Sequence, residues 1–314
     1  MRKRLNSYLQ VAILAKTCLY VNTLISNCME VKKLAIKDNA YPSALTDIAG
    51  PPKELFYIGA DPAEWLSRPR VAIVGSRHVS PYGQQVTAKF ARELAERGVV
   101  VISGLALGVD GIAHQACLDA GGTTVAVLAN GLDKIAPATN RHIGERLLAN
   151  GGTILSEYPV GTPIYKTNFV ARNRIVAGLS QALLITEASE KSGTLHTARF
   201  AMEQGRDVFA VPGNITSPGS AGANNLIKTG AIAATSAEDI LFALGIDTRT
   251  AAAVHRGANA DEQAVIDLLE QGISDGHQLL IGASLAPAVF SQTLTMLEIT
   301  GKIRALGNNH WALR

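Results

Sequence analysis

Three short turns rich in glycine and serine are the residues of this sequence best suited to chemistry, and each follows an apolar run and opens a helical pattern. They span residues 75–77, 103–108 and 192–194. At a strand-to-helix turn the first helical N–H groups lack backbone partners, the helix dipole is positive, and glycine lets the main chain approach an anion. The sequence therefore predicts a phosphate-type anion site with the cradle residues Gly75, Gly104, Gly108, Ser192, Gly193 and Thr194.

Cations and an aromatic ring accompany these turns. Arg77 ends the first turn, and a predicted loop at 166–178 carries Lys166, Phe169, Arg172 and Arg174. Guanidinium groups suit phosphate oxygens, and a base stacked on a flat ring is worth roughly 1–3 kcal/mol without demanding a particular sequence. Together these residues predict a pocket for single-stranded nucleic acid.

Structural roles for the same side chains form the alternative. Either Arg172 or Arg174 would then pair with Asp110 or Glu187 inside the sheet. Phe169 would then be an ordinary core residue.

Two pairs of polar residues near the turns invite a catalytic interpretation. Asp110 and His114 stand four residues apart on one predicted helix face, which suits either an acid–base pair or a brace for the second turn. The brace is favoured because no motif places a nucleophile beside them. Glu187 and His196 flank the third turn, where capping of a helix start is the simpler role.

Several enzyme motifs are missing from the sequence. It contains no GxxxxGK[ST] loop for nucleoside triphosphates, and no GxGxxG motif for dinucleotides follows the first apolar run. Neither Gly-x-Ser-x-Gly nor a His/Cys metal-binding spacing occurs either. We therefore predict a protein without catalytic residues, metal or cofactor.

The elements that must position these turns follow a regular alternation. Apolar runs rich in β-branched residues are separated mostly by helix-length stretches such as 84–97 and 194–204; the runs are 71–74, 99–102, 123–128, 153–155, 182–185 and 208–211. Runs that are apolar on both faces are typical of parallel strands covered by helices on both sides. The predicted fold is α/β: an extended Rossmann-like, doubly wound, mostly parallel sheet, with ligands at the carboxyl ends of its strands.

A change in composition marks a second, smaller domain. Residues 248–260 lack apolar periodicity and are predicted to be a linker. Three helical patterns and two short strands follow, an order typical of a winged helix. The predicted organisation is a short N-terminal segment at 1–40, the Rossmann-like domain at 41–247, the linker, and a winged-helix domain at 261–314. Because basic residues are few there, we expect this domain to contact protein or to have a regulatory role rather than to read the major groove.

Composition limits the classes of partner and compartment. The sequence has 29 Lys and Arg residues and 26 Asp and Glu residues, and the resulting net charge of +3 is too small to indicate a polyanion partner. The three cysteines form no CxxC pair, which suits a reducing compartment. Residues 1–30 are basic and then apolar, but Lys16 interrupts the apolar stretch, so export is not favoured. The sequence predicts a cytoplasmic protein that does not enter a membrane.

The motifs, taken in order, resemble those of the DNA-processing protein A (DprA or Smf) family. The matching segments are VAIVGSR at 71–77, VISGLALGVD at 101–110, RNRIVAGL at 172–179, SGTL at 192–195, TAR at 197–199 and VPG at 211–213. The resemblance covers about residues 41–245, and residues 261–314 resemble the winged helix of the family.

This resemblance implies a role without catalytic turnover. Family members bind single-stranded DNA, act as homodimers and load the recombinase RecA during natural transformation. Carried onto matching positions, the resemblance implies that Arg77, Lys166 and Phe169 line the DNA pocket. Ser76, Arg172 and Arg174 are placed with them by proximity. Two departures are Ala136-Pro137, where the family usually has Tyr-Pro, and a shortened N-terminal region.

The competing hypothesis is an enzyme on a similar fold, a nucleoside-monophosphate phosphoribohydrolase that resembles the cytokinin-activating (LOG-like) enzymes. Those proteins carry a PGGxGTxxE signature. Here the third turn has Ser192-Gly193-Thr194 with no glutamate at the acidic position of that signature. The binding protein is therefore the favoured prediction.

Overall fold

The computed structural model describes residues 30–246, 257–307 and 309–313. The chain divides into two compact units, Met1–Asp247 and Thr248–Arg314, and each is described by itself. The predictions for residues 1–29 lie outside the described residues, as does most of the predicted linker. Ala260, the last residue of that linker, begins a helix.

The first unit is built on one nine-stranded sheet. Its strands are β1 (Lys32–Ala35), β2 (Glu54–Gly59), β3 (Arg70–Val74), β4 (Val100–Ser103), β5 (Thr124–Val127), β6 (Thr153–Ser156), β7 (Ala182–Ile185), β8 (Asp207–Ala210) and β9 (Ile232–Ala233). Their order across the sheet is β1-β2-β6-β5-β4-β3-β7-β8-β9, with β1–β2 and β2–β6 antiparallel and the remaining pairs parallel. The predicted mostly parallel α/β sheet is confirmed.

Helices cover both faces of this sheet, which explains the apolar strands. They are α1 (Ala63–Leu66), α2 (Pro81–Glu96), α3 (Val109–Asp119), α4 (Arg141–Ala149), α5 (Lys166–Leu179), α6 (Thr194–Glu203), α7 (Ala221–Lys228) and α8 (Ala237–Ala243). Every residue of β4, β5, β6 and β7 is buried. Burial on both faces removes apolar side chains from water and leaves only the strand ends open to ligands.

The sheet has its switch point between β3 and β7. From β3 the chain winds outward through β4, β5 and β6, and then returns to place β7 on the other side of β3. Crossover loops diverge at such a point and leave a crevice at the carboxyl ends of the strands. The first and third turns, at 75–77 and 192–194, follow β3 and β7 and therefore flank this crevice.

Two sequence predictions about the first unit need correction. The segment 166–178 is not a loop but helix α5, and its buried stripe is Arg172, Ile175, Val176 and Leu179. The charged member of that stripe hides the apolar periodicity that would have revealed the helix. The sheet also begins before residue 41, because β1 pairs with β2 along its whole length.

The second unit contains the predicted elements in the predicted order. They are α9 (Ala260–Glu270), α10 (Gly276–Ala283), α11 (Pro287–Ile299) and the antiparallel pair β10 (Ile303–Gly307) and β11 (His310–Leu313). Local signals explain the helix starts: Asn259 and Asp275 accept hydrogen bonds from first-turn N–H groups, and Pro287 occupies a first-turn position. Its assignment as a winged helix remains a prediction.

The described helices, taken singly, differ from a membrane span in length or hydropathy. Among the described residues, no single helix is long and apolar enough to cross a bilayer. The helices Gly276–Ala283 and Pro287–Ile299, which meet at a bend of 113°, together have the length and composition of a membrane span, and only these two properties suggest one.

Candidate functional site

The three turns meet at one cavity of about 490 Å³ at the carboxyl ends of the strands. The first turn contributes Gly75 and Ser76, and the third turn contributes all three of its residues. Ala106 comes from the second turn. Two helix starts open onto the cavity, since α3 begins after the second turn and α6 at the end of the third. The cavity therefore combines main-chain turns with positive helix ends, as anion binding requires.

The glycines of the second turn have a packing role. Gly104 lines a smaller neighbouring cavity of about 130 Å³, and a methyl group on it would collide with the Arg172 guanidinium. Gly108 has φ +75°, and a side chain there would collide with the carbonyl oxygen of Ser76. Close packing against the Arg172 side chain at Gly104, and against the first turn at Gly108, explains why these positions are glycine.

Arg77, Lys166 and Phe169 come together at the mouth of the cavity. Arg77 is exposed, and its Cζ lies 4.9 Å from the centroid of the half-buried Phe169 ring. Lys166 is exposed at the first residue of α5, and all three side chains line the larger cavity. The Arg77–Phe169 stack also borders the smaller, mostly apolar cavity, so it stands between the two. This arrangement offers two exposed cations and one aromatic ring to a ligand.

Ser76 lines the same cavity, but its polar groups already have partners. Its Oγ donates to the His78 carbonyl at 2.8 Å and accepts from the His78 N–H at 3.1 Å. Its N–H donates to the Glu187 carbonyl at 2.8 Å. Ser76 therefore shapes the turn that presents Arg77.

The two arginines of α5 occupy different surroundings from the exposed cations. Arg172 is only 3% exposed, and its Nη1 donates to the carbonyl oxygens of Gly104, at 2.7 Å, and Val127. Arg174 places Nη2 2.6 Å from Glu157 Oε2, and its Nε donates to the Gly50 carbonyl at 3.0 Å. Pairing of one arginine with an internal acid was expected, but the partner of Arg174 is Glu157. Arg174 is not among the residues that line either cavity.

Asp110 and Glu187 act as braces. Asp110 Oδ2 accepts from the N–H groups of Gly104 at 3.1 Å and Ala106 at 3.3 Å, which confirms the predicted brace for Asp110. His114, the other half of that prediction, is bonded to Thr124 of β5 and not to the second turn. The Glu187 carboxylate accepts from both the N–H and the hydroxyl of Ser80, the residue that caps α2. Both carboxylates are therefore engaged in holding helix starts.

Burial dominates the acid–base behaviour of the groups beneath the second turn. Burial raises the pKa of Asp110, and the Arg172 charge opposes that change. Burial lowers the pKa of Arg172, and the Asp110 charge opposes it. Burial, helped by the Arg172 charge, lowers the pKa of His114 to about 3. A neutral, fully buried imidazole with its Nδ1 bonded to Thr124 is poorly placed for proton transfer to a ligand.

In residues 30–246, 257–307 and 309–313, no group of three or more His, Cys, Asp or Glu could hold a metal ion. The larger cavity is also lined by His78, Asn173, Ser189 and Thr197. His78 and Asn173 adjoin predicted site residues, and Thr197 lies one helical turn after Thr194, so spacing along the helix could have found it.

The fold and the site define a class of protein: a Rossmann-type α/β protein whose anion cavity combines helix starts with exposed cations and an aromatic ring. The model of the family DNA recombination-mediator protein A matches residues 32–273 of the chain. The chain belongs to this family.

Individual relatives agree with that assignment. Protein Smf of Escherichia coli strain K12 is 47% identical over 201 residues, a match that covers 64% of this chain and 53% of that protein. DNA processing protein DprA of Streptococcus pneumoniae strain R6 is 43% identical over 207 residues, with 66% and 72% covered. The chain spans about half the length of the Escherichia coli relative and of Protein Smf from Synechocystis, at 53% and 52%.

Two solved structures share the fold. DprA from Streptococcus pneumoniae superposes with a TM-score of 0.64 at 41% identity and covers 69% of this chain and 75% of its own. DprA from Helicobacter pylori, a protein with a single-stranded DNA binding mode, gives a TM-score of 0.62 at 35% identity and covers 68% and 95%.

Proposed function

We propose that this protein binds single-stranded DNA at the larger cavity, without catalytic turnover. The observation that carries the proposal is the meeting of Arg77, Lys166 and Phe169 beside the three turns. Exposed cations and helix starts suit successive backbone phosphates, while the ring face suits an unpaired base. The single-stranded DNA binding of the Helicobacter pylori relative supports this ligand.

The absence of turnover is part of the proposal. Asp110 holds two backbone N–H groups, His114 is fully buried, and Glu187 holds the start of α2. A general acid or base must reach the reacting atom, and these groups are committed to the fold instead.

Membership in a family of recombination mediators supports a finer proposal. We propose that the protein acts in the cytoplasm as a homodimer and delivers bound strands to the RecA recombinase during natural transformation or recombination. An exposed strand held by its backbone keeps most bases available for the next protein.

A titration of labelled dT oligonucleotide against the protein over a range of salt concentrations tests DNA binding. A plot of log K against log salt is expected to be linear, with a slope near −0.7 for each phosphate neutralised. Affinity that does not change with salt would contradict a phosphate-based site. Incubation with AMP separates the alternative, since release of free adenine would identify a phosphoribohydrolase.

Phe169→Ala is expected to weaken binding of the dT oligonucleotide by roughly 5- to 150-fold, the equivalent of 1–3 kcal/mol for one stacked base. The slope against salt should stay unchanged because no charge is lost. Phe169→Tyr keeps the ring and is the matched control, expected to bind like the wild type. Equal affinity of the alanine variant and the wild type would remove the ring from the site.

We propose that the winged-helix domain at 261–314 contacts protein. Helices α9, α10 and α11 contain no Lys or Arg, and α9 and α11 carry five acids: Asp261, Glu262, Asp267, Glu270 and Glu298. Exposed Val289, Met296 and Ile299 share one face of α11 by their spacing. Acidic helices repel phosphates, whereas an exposed apolar stripe suits a protein surface.

Arg304→Ala tests this assignment, because Arg304 is an exposed cation of β10. The variant is expected to bind dT oligonucleotide within about twofold of the wild type, with the same slope against salt. A slope reduced by about 0.7 would instead make β10 a phosphate contact.

A further inference from the structure

Gly104 is held from both sides by two buried charged side chains. The Gly104 N–H donates to Asp110 Oδ2 at 3.1 Å, and the Gly104 carbonyl oxygen accepts from Arg172 Nη1 at 2.7 Å. Asp110 is 7% exposed and Arg172 is 3% exposed. Gly104 leaves just enough room for this contact, since any side chain there would collide with the guanidinium. The second turn is thus clamped between α3, which carries Asp110, and α5, which carries Arg172.

The second turn in its turn supports the first. The N–H of Val109 donates to the Ser76 carbonyl at 3.1 Å, and Gly108 packs directly beneath the carbonyls of Ser76 and Arg77. The Cγ2 of Val109 would lie 2.6 Å from a methyl group at Gly75. A shift of residues 104–108 would therefore shift the main chain that presents Arg77.

Arg172 also belongs to the helix that presents the other half of the site. Lys166 and Phe169 precede it in α5 by six and three residues. Its Nη1 reaches both Gly104, after β4, and Val127, at the end of β5. One side chain therefore ties α5 to the ends of two strands and to the turn that supports Arg77.

We propose that Arg172 and Asp110 are positioning residues, which set Arg77 against Lys166 and Phe169 without touching DNA. The inference rests on the proposed single-stranded DNA binding and deepens it. Because the two opposite charges interact, the pair presents little net charge to a phosphate. Arg172 lines the cavity but is only 3% exposed, and three of its five N–H donors already have acceptors: Nη1 on two carbonyls, and Nε on Asn173 Oδ1 at 3.3 Å. The cations that meet DNA are then Arg77 and Lys166.

Arg172→Lys separates positioning from phosphate contact. Lysine keeps the charge, but its Nζ ends one bond short of the position of Nη1, the single nitrogen that donates to both carbonyls. We expect affinity for dT oligonucleotide to fall by about tenfold with an unchanged slope against salt, as loss of two buried hydrogen bonds predicts. A direct phosphate contact would instead be largely retained by lysine, and near-wild-type affinity would overturn the proposal.

For Asp110→Ala, the direction of the change in affinity tests the proposal. If Asp110 acted on DNA only through its charge, its removal from the cavity would leave binding equal or tighter. Positioning predicts weaker binding, again by about tenfold, because the N–H groups of Gly104 and Ala106 lose their acceptor. Asp110→Asn keeps an acceptor oxygen and should restore most of the affinity, while Asp119→Ala at the other end of α3 is the matched control.

Thermal unfolding of each variant is measured first, and binding is compared well below the midpoint. Where Asp110→Ala does not fold, Arg172→Lys carries the test, since lysine keeps the charge and most of the length of the side chain. A wild type without salt-dependent binding would refute the proposed function and this inference together. If the wild type binds dT oligonucleotide, tighter binding by Asp110→Ala or unchanged affinity of Arg172→Lys would refute this inference alone.

Discussion

Arg77→Ala combined with Lys166→Ala is expected to lower affinity for dT oligonucleotide by about 10²-fold or more at moderate salt, with folding intact. Both side chains are exposed at the mouth of the cavity, so their removal leaves no buried group unpaired. Two charge-assisted phosphate contacts are lost, and Phe169 also loses the cation stacked on it.

The dependence on salt makes this prediction specific. Each lost phosphate contact should reduce the magnitude of the slope of log K against log salt by about 0.7, and the double variant by about 1.4. Arg174→Ala is the matched control: it also removes one arginine, but that arginine is paired with Glu157, so the slope should not change. A double variant that binds like the wild type would remove Arg77 and Lys166 from the site.

Acidification from pH 8 to pH 5 is expected to destabilise the wild type more than His114→Gln, by about 2 kcal/mol of unfolding free energy. Burial lowers the pKa of His114 from 6.5 to about 3. Between these values the unfolded chain binds a proton that the folded protein does not, so stability is present above pH 6.5 and is lost as the pH falls toward 3.

Burial keeps this imidazole neutral in the folded protein, and the hydrogen bonds around it give a proton on Nε2 no acceptor in the part of the chain that the structure describes. The Thr124 hydroxyl donates to the Val101 carbonyl at 2.7 Å and so accepts from His114 Nδ1, also at 2.7 Å. Nε2 is buried and has no hydrogen-bond partner among the described residues, so a proton there would lack an acceptor.

Denaturant unfolding at pH 5 and pH 8 measures the difference. Asp110 also has a shifted pKa, but it is present in both proteins and cancels in the comparison. His142→Gln changes an exposed histidine of α4 and should keep the full dependence of the wild type. An equal change in stability for the wild type and His114→Gln would show that His114 does not titrate as its burial requires.

Helix α5 is the element for which sequence and structure differ most. Its first turn carries the predicted ligand residues Lys166 and Phe169, but sequence alone assigned it to a loop. A helix whose buried stripe includes an arginine breaks the apolar pattern, and only the carbonyls that receive this arginine reveal the stripe. Those carbonyls lie 68 and 45 residues away, at Gly104 and Val127.

The sequence by itself determined the parallel α/β sheet, the three glycine- and serine-rich turns that follow its strands and the elements of the second unit. These follow from patterns within one strand, turn or helix, where neighbours in sequence are neighbours in space. Tertiary structure decided which cations are free to bind: Arg77 and Lys166 are exposed, Arg172 is buried on carbonyls, and Arg174 is paired with Glu157. The reason is physical, since the partner that neutralises or buries a charge is chosen by contacts between distant segments, which no local pattern records.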